Sequence, residues 1–250
     1  MIRVERHPGE KGPFAEIVID RPDKRNALSV AMLADMAREV GVLSGEVGFN
    51  ALVVRGEGRV FCAGFDMPAC VDHPAALAEM LKGLSVVIRA LRAFPAPVVV
   101  AAHGAAVAGG CALVAAADLV VTDRAAKLGY PVVKLGISPA VNAPALRLAL
   151  PDRHARSLLL DPELIPGDRA KEIGLAHVLV DLVDDVVPRA QVEAMKLARK
   201  PAQAVRRTKA WLNEIDGSLD AGAFDRALAA SMALVGSDEQ VERLRAAFGS

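Results

Sequence analysis

The feature that most constrains the fold is the segment 93–117, which contains no Asp, Glu, Lys or Arg. A run of this length raises the question of a membrane-spanning helix, since a span needs about 20 apolar residues. However, the run is rich in alanine and is interrupted by Pro95, Pro97, His103 and the pair Gly109-Gly110. This composition favours a buried strand, a loop and a buried helix over a membrane span.

Short β-branched runs alternate with helical patterns along most of the chain, which is typical of an α/β fold. Strands are predicted over 15–20, 51–55, 97–102, 119–122 and 177–180. Helices are predicted over 29–40, 74–94, 110–117 and 168–173, with Ser29 capping the first. After Pro188 only helical patterns follow, over 189–200, 202–215, 220–234 and 238–248. We therefore predict an α/β core over 1–188 and a helical region over 189–250 that packs on a neighbouring subunit.

Composition limits which binding partners and which cellular compartment we expect for the protein. Lys plus Arg and Asp plus Glu both number 30, which gives no overall charge to attract nucleic acid or an anionic membrane. Three cysteines form an odd set without metal-ligand spacing, which favours a reducing compartment. The charged N-terminal segment lacks the apolar stretch of a secretory signal. We expect a cytoplasmic protein without a metal site and without nucleic-acid or membrane partners.

Three glycine-bearing turns, over 60–67, 103–112 and 128–140, carry the chemical signal. The pair Gly109-Gly110 opens a predicted helix, whose first N–H groups lack intrahelical partners and favour negative charge. Taken alone, such a pair also fits tight turns and close helix packing. Local reasoning therefore leaves an anion site and a purely structural turn both open.

The segments RPDKRNALS (21–29), GRVFCAGFDM (58–67) and GAAVAGGCALVAAADL (104–119) resemble the enoyl-CoA hydratase/isomerase, or crotonase, family. The segment IPGDRAKEIGLAHVLV (165–180) is similar as well, and the matches follow family order from near residue 16 to near residue 248. The resemblance implies a coil of ββα repeats and a C-terminal helical region that forms trimers or dimers of trimers. It also implies that the ligand is an acyl-CoA thioester, with coenzyme A as part of the substrate and no tightly bound cofactor.

The resemblance further implies an oxyanion hole formed by the backbone N–H groups of Phe65 and Gly109. Preorganised donors of this kind typically supply about 2.7 to 4 kcal/mol each when judged by deletion. Cationic side chains can pair with the phosphates of coenzyme A. The positions that the resemblance assigns to coenzyme A binding are Lys24, Arg25, Ala27, Ala63, Asp66 and Met67.

The family's acidic residues are missing from this chain. Hydratases of the family use two glutamates, and Ala112 and Val132 occupy those positions, while a third acidic position holds Ala140. None of these side chains can transfer a proton, so the standard hydration mechanism is not expected. The remaining candidates for catalytic contact are Tyr130 and Ser138, in the segment that should face the acyl group, Asn142, which could donate a hydrogen bond, and Asp66, next to the first oxyanion donor.

Three functions remain open at this level. The first is an acyl-CoA enzyme with altered chemistry, namely isomerisation, decarboxylation or thioester hydrolysis through an enolate or other oxyanion. The second is a non-catalytic acyl-CoA binding or scaffold protein. The third is hydration through a compensating acid from Asp66 or a neighbouring subunit. The intact glycine turns favour the first.

Overall fold

The computed structural model describes residues 1–9, 12–46, 48–73 and 75–249. Nine strands lie within these described residues. Their bounds are β1 (Ile2–His7), β2 (Phe14–Ile19), β3 (Leu52–Gly56), β4 (Val98–Ala102), β5 (Ala105–Val107), β6 (Leu119–Asp123), β7 (Lys127–Gly129), β8 (Ile165–Pro166) and β9 (Val178–Val180). The five predicted strands correspond to β2, β3, β4, β6 and β9 and are confirmed.

The strands form two sheets. The main sheet has the order β1-β2-β3-β4-β6-β9, and only β1 runs antiparallel to its neighbour. A smaller sheet has the order β5-β7-β8. From β4 to β7 the strands alternate between the sheets, since β4 and β6 belong to the main sheet and β5 and β7 to the smaller one. This alternation is the arrangement expected of the predicted coil of ββα repeats.

Eleven α-helices accompany the strands within the described residues. Their bounds are α1 (Val30–Gly45), α2 (Met67–Asp72), α3 (Ala75–Ala93), α4 (Gly109–Ala115), α5 (Ala143–Ala149), α6 (Asp152–Leu160), α7 (Gly167–Ile173), α8 (Val186–Ala198), α9 (Ala202–Ile215), α10 (Ala221–Met232) and α11 (Asp238–Phe248). The predicted helices are confirmed, although Pro74 lies outside the described residues. Ser29 caps α1 as predicted, because its Oγ accepts a hydrogen bond from the Met32 N–H at 3.3 Å.

The uncharged segment folds as its composition predicts. It supplies the buried strand β4, the short strand β5 and the buried helix α4. Within the described ranges, no helix is both long and apolar enough to cross a membrane. The absence of charge therefore reflects burial at the centre of the molecule.

The two faces of the main sheet pack differently. One face joins a large apolar core that includes α1 and α3, and this core continues to the candidate site. The other face packs on α8, which places Ala190, Ala194 and Ala198 against the sheet at helical spacing. The predicted division between residues 188 and 189 falls inside α8, and as a division into separate domains it stays a prediction.

Sequence patterns missed some short elements. Strand β1 lies at the sheet edge and carries Arg3, Glu5 and Arg6, so its sequence reads as a solvated terminal segment. Helices α2, α5 and α6 have six to nine residues, too few to establish a helical period. These elements gain their stability from tertiary packing.

Candidate active site

The loop that carries Phe65 is held at both ends by backbone hydrogen bonds. Before the loop, the Cys62 N–H donates to the Ala105 carbonyl at 3.0 Å. On its other side, the Leu28 N–H donates to the Gly64 carbonyl at 2.7 Å. Gly64 has a φ of 94°, and a Cβ added there would lie 2.9 Å from a backbone oxygen of the neighbouring strand. Only glycine fits this position, which explains its place in the turn.

The start of α4 is equally constrained. Ala108 precedes the helix with a φ of 51°, a conformation that costs a non-glycine residue about 1 to 3 kcal/mol. Its N–H donates to the Gly129 carbonyl at 2.8 Å, which holds the strained turn in place. A Cβ added at Gly110 would lie 2.5 Å from the Cys62 carbonyl oxygen. The helix therefore begins in close contact with the loop that carries Phe65.

Two backbone amides at this contact are unpaired. Within the described part of the chain, neither the Phe65 N–H nor the Gly109 N–H donates to a protein acceptor. The two turns are adjacent, because a Cβ added at Gly64 would lie 3.6 Å from the Gly109 nitrogen. The Phe65 ring also lies against Gly109. Unpaired amides at a buried position are costly, so this junction is suited to a ligand oxygen that accepts from both.

An open groove leads to the two amides from the protein surface. All six positions that were predicted to bind coenzyme A line it, together with Phe65 and with Phe248 of α11. Lys24 and Arg25 are exposed there, whereas Asp66 and Ala63 are half-buried. The structure thus brings the predicted residues to one surface next to the predicted oxyanion donors.

The segment with Lys24 and Arg25 has a fixed backbone. Arg25 and Asn26 have φ values of 51° and 57°. The buried Asn26 side chain accepts from the Arg21 N–H at 2.9 Å and donates to the Glu57 and Val60 carbonyls, both at 2.8 Å. An ion pair of 2.7 Å between Arg21 and Asp66 then joins this segment to the loop that carries Phe65.

A small apolar cavity of about 30 Å³ lies behind the amides, enough room for one ordered water. It shares Phe65, Met67, Ala108 and Val132 with the groove, so the two spaces meet at the unpaired amides. The residues that line the cavity alone are Leu81, Leu84, Gly109, Ala112, Tyr130, Ile137, Ser138, Pro139, Val141 and Asn142. The junction therefore resembles the meeting point of a cofactor arm and an acyl chain.

The cavity contains no group that readily transfers protons at neutral pH. Among the described residues that line it there is no Asp, Glu, His, Lys or Arg. Ala112 and Val132, which stand at the two glutamate positions, both line the cavity. Ala140 lies in the 3-10 turn Pro139–Asn142, between two residues of the cavity wall. The missing acids thus leave an apolar wall rather than a rearranged acidic pair.

Tyr130 is the one titratable side chain with a hydroxyl at the cavity. Burial raises its pKa well above the ordinary tyrosine value, and the neighbouring Cys111 thiol acts in the same direction. The hydroxyl therefore stays protonated at neutral pH and cannot serve as a base. It accepts a hydrogen bond from the Asn142 side chain.

Ser138, another predicted candidate, has structural partners. Its Oγ accepts from the Ala140 N–H at 3.3 Å, which caps the 3-10 turn. Its carbonyl accepts from the Ser231 hydroxyl of α10 at 2.8 Å, and that hydroxyl also accepts from the Val141 N–H at 2.8 Å. The C-terminal region thus holds the turn that forms one cavity wall.

Sequence reasoning missed most of the cavity wall. Leu81 and Leu84 come from α3 and Ile137 and Val141 from the loops after β7, and none carries a local signal that separates a ligand pocket from core packing. Asn142, in contrast, was a candidate from the sequence, and it lines the cavity. It stands at the N-cap of α5 but its side chain makes no capping hydrogen bond.

One group of side chains has the spacing of a metal site, but its charges are already balanced. The ligand atoms of Glu5, His7 and Glu16 lie within 4.8 Å of one another. Arg55 donates to Glu16 at 2.6 Å and to Glu5 at 3.1 Å, and Gln191 donates to Glu16 at 2.7 Å. The guanidinium occupies the place of a cation, so we assign no metal to this cluster.

Solved structures identify the fold class. The chain aligns with an enoyl-CoA hydratase/isomerase from Mycobacterium paratuberculosis at a TM-score of 0.85 and 26% identity, over 97% of each chain. It aligns with Pseudomonas aeruginosa OdaA at a TM-score of 0.85 and 28% identity, over 100% of this chain and 99% of that one. The protein therefore has the crotonase fold, with a C-terminal helical region.

Sequence comparison identifies the family. The profile described as enoyl-CoA hydratase/isomerase matches residues 9–234. The chain is also 31% identical to a crotonyl-CoA hydratase of Syntrophomonas wolfei over 246 residues, which is 94% of each protein. The chain belongs to the enoyl-CoA hydratase/isomerase family.

Proposed function

We propose that the protein binds an acyl-CoA thioester and stabilises negative charge on its carbonyl oxygen through the N–H groups of Phe65 and Gly109. The observation that carries this proposal is the position of the two unpaired amides, between a groove with exposed cations and an apolar cavity. Lys24 and Arg25 would pair with the phosphates of coenzyme A, and the acyl group would enter the cavity. The thioester oxygen would then accept from both amides.

The apolar cavity favours a reaction that requires little proton transfer from the protein. Hydration needs a carboxylate pair, and Ala112 and Val132 cannot provide one. Of isomerisation, decarboxylation and hydrolysis, decarboxylation requires the least proton transfer by protein side chains. The bond from the α-carbon to the carboxylate breaks, its electrons form the enolate held by the two amides, carbon dioxide leaves, and solvent protonates the α-carbon.

Comparison of a thioester with its thioether tests the oxyanion site in the unmodified protein. Butyryl-CoA and S-butyl-CoA differ by one carbonyl oxygen, so calorimetry with both isolates the contribution of the two amides. Loss of two hydrogen bonds of about 1 kcal/mol each should weaken binding of the thioether roughly 30-fold. Equal affinities would show that the carbonyl oxygen is not bound by these amides.

Turnover of a CoA ester series tests the reaction. We expect carbon dioxide release from a malonyl-type thioester and crotonyl-CoA hydration no faster than background. Rapid hydration would instead support a compensating acid from Asp66 or from a neighbouring subunit. Release of free thiol from saturated esters would assign hydrolysis.

A second function, non-catalytic acyl-CoA binding, is favoured by the same absence of proton carriers in the described cavity. It predicts the thioester preference without any product from the series. The two functions are therefore separated by turnover under conditions of saturating binding.

We also infer that the chain acts in the cytoplasm as a trimer or a dimer of trimers. Helix α9 supports assembly, because Trp211, Leu212 and Ile215 are each more than half exposed. Light scattering should give a mass of about three or six times the chain mass of 26.2 kDa, and Trp211→Glu combined with Ile215→Glu should reduce this mass. A single-chain mass for the unmodified protein would contradict the inference.

A further inference from the structure

The inner end of the cavity carries an unpaired polar atom. Asn142 is 1% exposed and lines the cavity but not the groove, so it lies on the part of the wall away from the coenzyme A side. Within the described structure, its Oδ1 atom is buried and has no hydrogen-bond partner. Buried polar atoms in folded proteins nearly always have a partner, so this exception requires an explanation.

Local structure does not provide that explanation. Asn142 stands at the N-cap of α5, where an asparagine oxygen normally accepts from a backbone N–H of the first turn. Here the side chain makes no such bond. It turns instead to Tyr130, to which its Nδ2 donates. The helical backbone of Asn142 (φ −95°, ψ −9°) does not suit it to capping, so its acceptor is left free at the cavity.

The surrounding hydrogen bonds define the free atom as an acceptor. The Tyr130 hydroxyl also contacts the buried Cys111 thiol. With the hydroxyl proton directed to that sulfur, the Tyr130 oxygen accepts from Asn142, which fixes the amide nitrogen on the tyrosine side. Oδ1 is left with both lone pairs unused. A ligand that satisfies it must therefore donate a hydrogen bond.

We propose that the acyl group is a short chain with a hydroxyl at the end away from the thioester, and that this hydroxyl donates to Asn142 Oδ1. The rest of the cavity wall is largely apolar and matches the methylene groups of such a chain. The cavity as it stands has room for about one water, so its wall must move outward to admit even a short chain, and a long acyl chain would require a larger displacement. This inference rests on the proposed acyl-CoA function and specifies the acyl group.

Binding by the unmodified protein provides the first test. Calorimetry would compare 4-hydroxybutyryl-CoA with butyryl-CoA and with 4-fluorobutyryl-CoA, whose fluorine resembles the hydroxyl in size but cannot donate. The same comparison of a terminal hydroxyl, hydrogen and fluorine would be made on five-carbon acyl chains. We expect the hydroxyl compound to bind about tenfold more tightly than both partners at one chain length or both. Equal binding within each set would overturn the inference while leaving the proposed function intact.

Absence of binding by every CoA thioester, in contrast, would remove the proposed function and this inference together. The two failures are therefore distinguishable in one experiment. Because the series uses the unmodified protein, its result does not depend on the folding of a variant.

Substitution then assigns the preference to one residue. Asn142→Leu keeps a similar volume and removes the acceptor. The affinity for the hydroxyl compound should then equal that for butyryl-CoA, which should still bind. The matched control is Asn213→Leu, since Asn213 is also buried but donates to the Arg92 carbonyl outside the cavity. The control should keep the preference. A preference that survives Asn142→Leu would overturn the assignment.

Discussion

The groove and the cavity meet at the same two amides but are built in different ways. The groove is open, carries Lys24 and Arg25, and comes mostly from contiguous motifs near residues 23–27 and 63–68. The cavity is much smaller and apolar, and its wall combines α3, α4, the loops after β7 and Asn142. In the proposed function, recognition of the carrier thus lies in short motifs, whereas the choice of acyl group and reaction depends on single side chains from distant segments.

The largest expected effect tests the junction that both spaces share. Gly110→Ala forces a Cβ to within 2.5 Å of the Cys62 carbonyl, so the loop and α4 must separate. We expect a loss of about 3 kcal/mol in the free energy of unfolding, measured by urea denaturation. Gly41→Ala, in an open position of α1, is the control and should gain roughly 0.5 to 1 kcal/mol. Equal effects would show that the junction is not tightly packed.

The next effect contrasts the two spaces directly by placing a carboxyl group in each. Ala112→Glu buries the group in the cavity, which raises its pKa above the ordinary value and costs about 2 kcal/mol at neutral pH. Ala63→Glu places it in the half-buried groove and should cost much less.

The destabilisation by the buried carboxyl group should depend on pH in a defined direction. The pKa of the introduced carboxyl group is higher in the folded than in the unfolded protein, so Ala112→Glu lowers the free energy of unfolding by its full amount above the folded-state pKa. This loss declines as the pH falls towards about 4.3, the ordinary pKa in the unfolded chain. Urea denaturation at pH 8 and at pH 5 measures the change. A cost that is the same at both pH values would exclude a buried charge as its cause.

A smaller effect separates the cavity wall from the groove. Ser231→Ala removes the hydroxyl that bonds both Val141 N–H and Ser138 carbonyl. We expect a loss of about 1.5 kcal/mol in stability and weaker binding of the acyl portion, with affinity for free coenzyme A unchanged. Calorimetry with butyryl-CoA and with free coenzyme A separates these contributions. Equal weakening of both ligands would contradict a role confined to the wall.

The smallest effect concerns the groove alone. Lys24→Ala and Arg25→Ala should each weaken binding of coenzyme A by about 0.5 to 1 kcal/mol, and less at high salt, because both side chains are exposed. The control is Lys82→Ala, an exposed position of α3 that lies outside the groove. A loss that does not depend on salt would argue against phosphate pairing.

The same contrast explains how much of the fold and the site could be predicted from the sequence. The amides of Phe65 and Gly109 lie in contiguous motifs, and the resemblance of those motifs to the family predicted the two positions, whereas local reasoning left a structural turn equally open. Leu81 and Leu84 reach the cavity through the packing of α3, and no local pattern shows which part of a buried helix face borders a ligand. Strand β1 was missed for a related reason, since its charged residues are accommodated only by its place at the sheet edge.

The left-handed pair Arg25 and Asn26 has a consequence for the thermodynamics of binding. Because Asn26 already bonds the backbone of Arg21, Glu57 and Val60, the groove's cationic segment is ordered by folding itself. The loss of backbone entropy in this segment belongs to the folding equilibrium, and a ligand that arrives later encounters a preorganised surface. Its binding enthalpy is therefore not offset by the ordering of this loop.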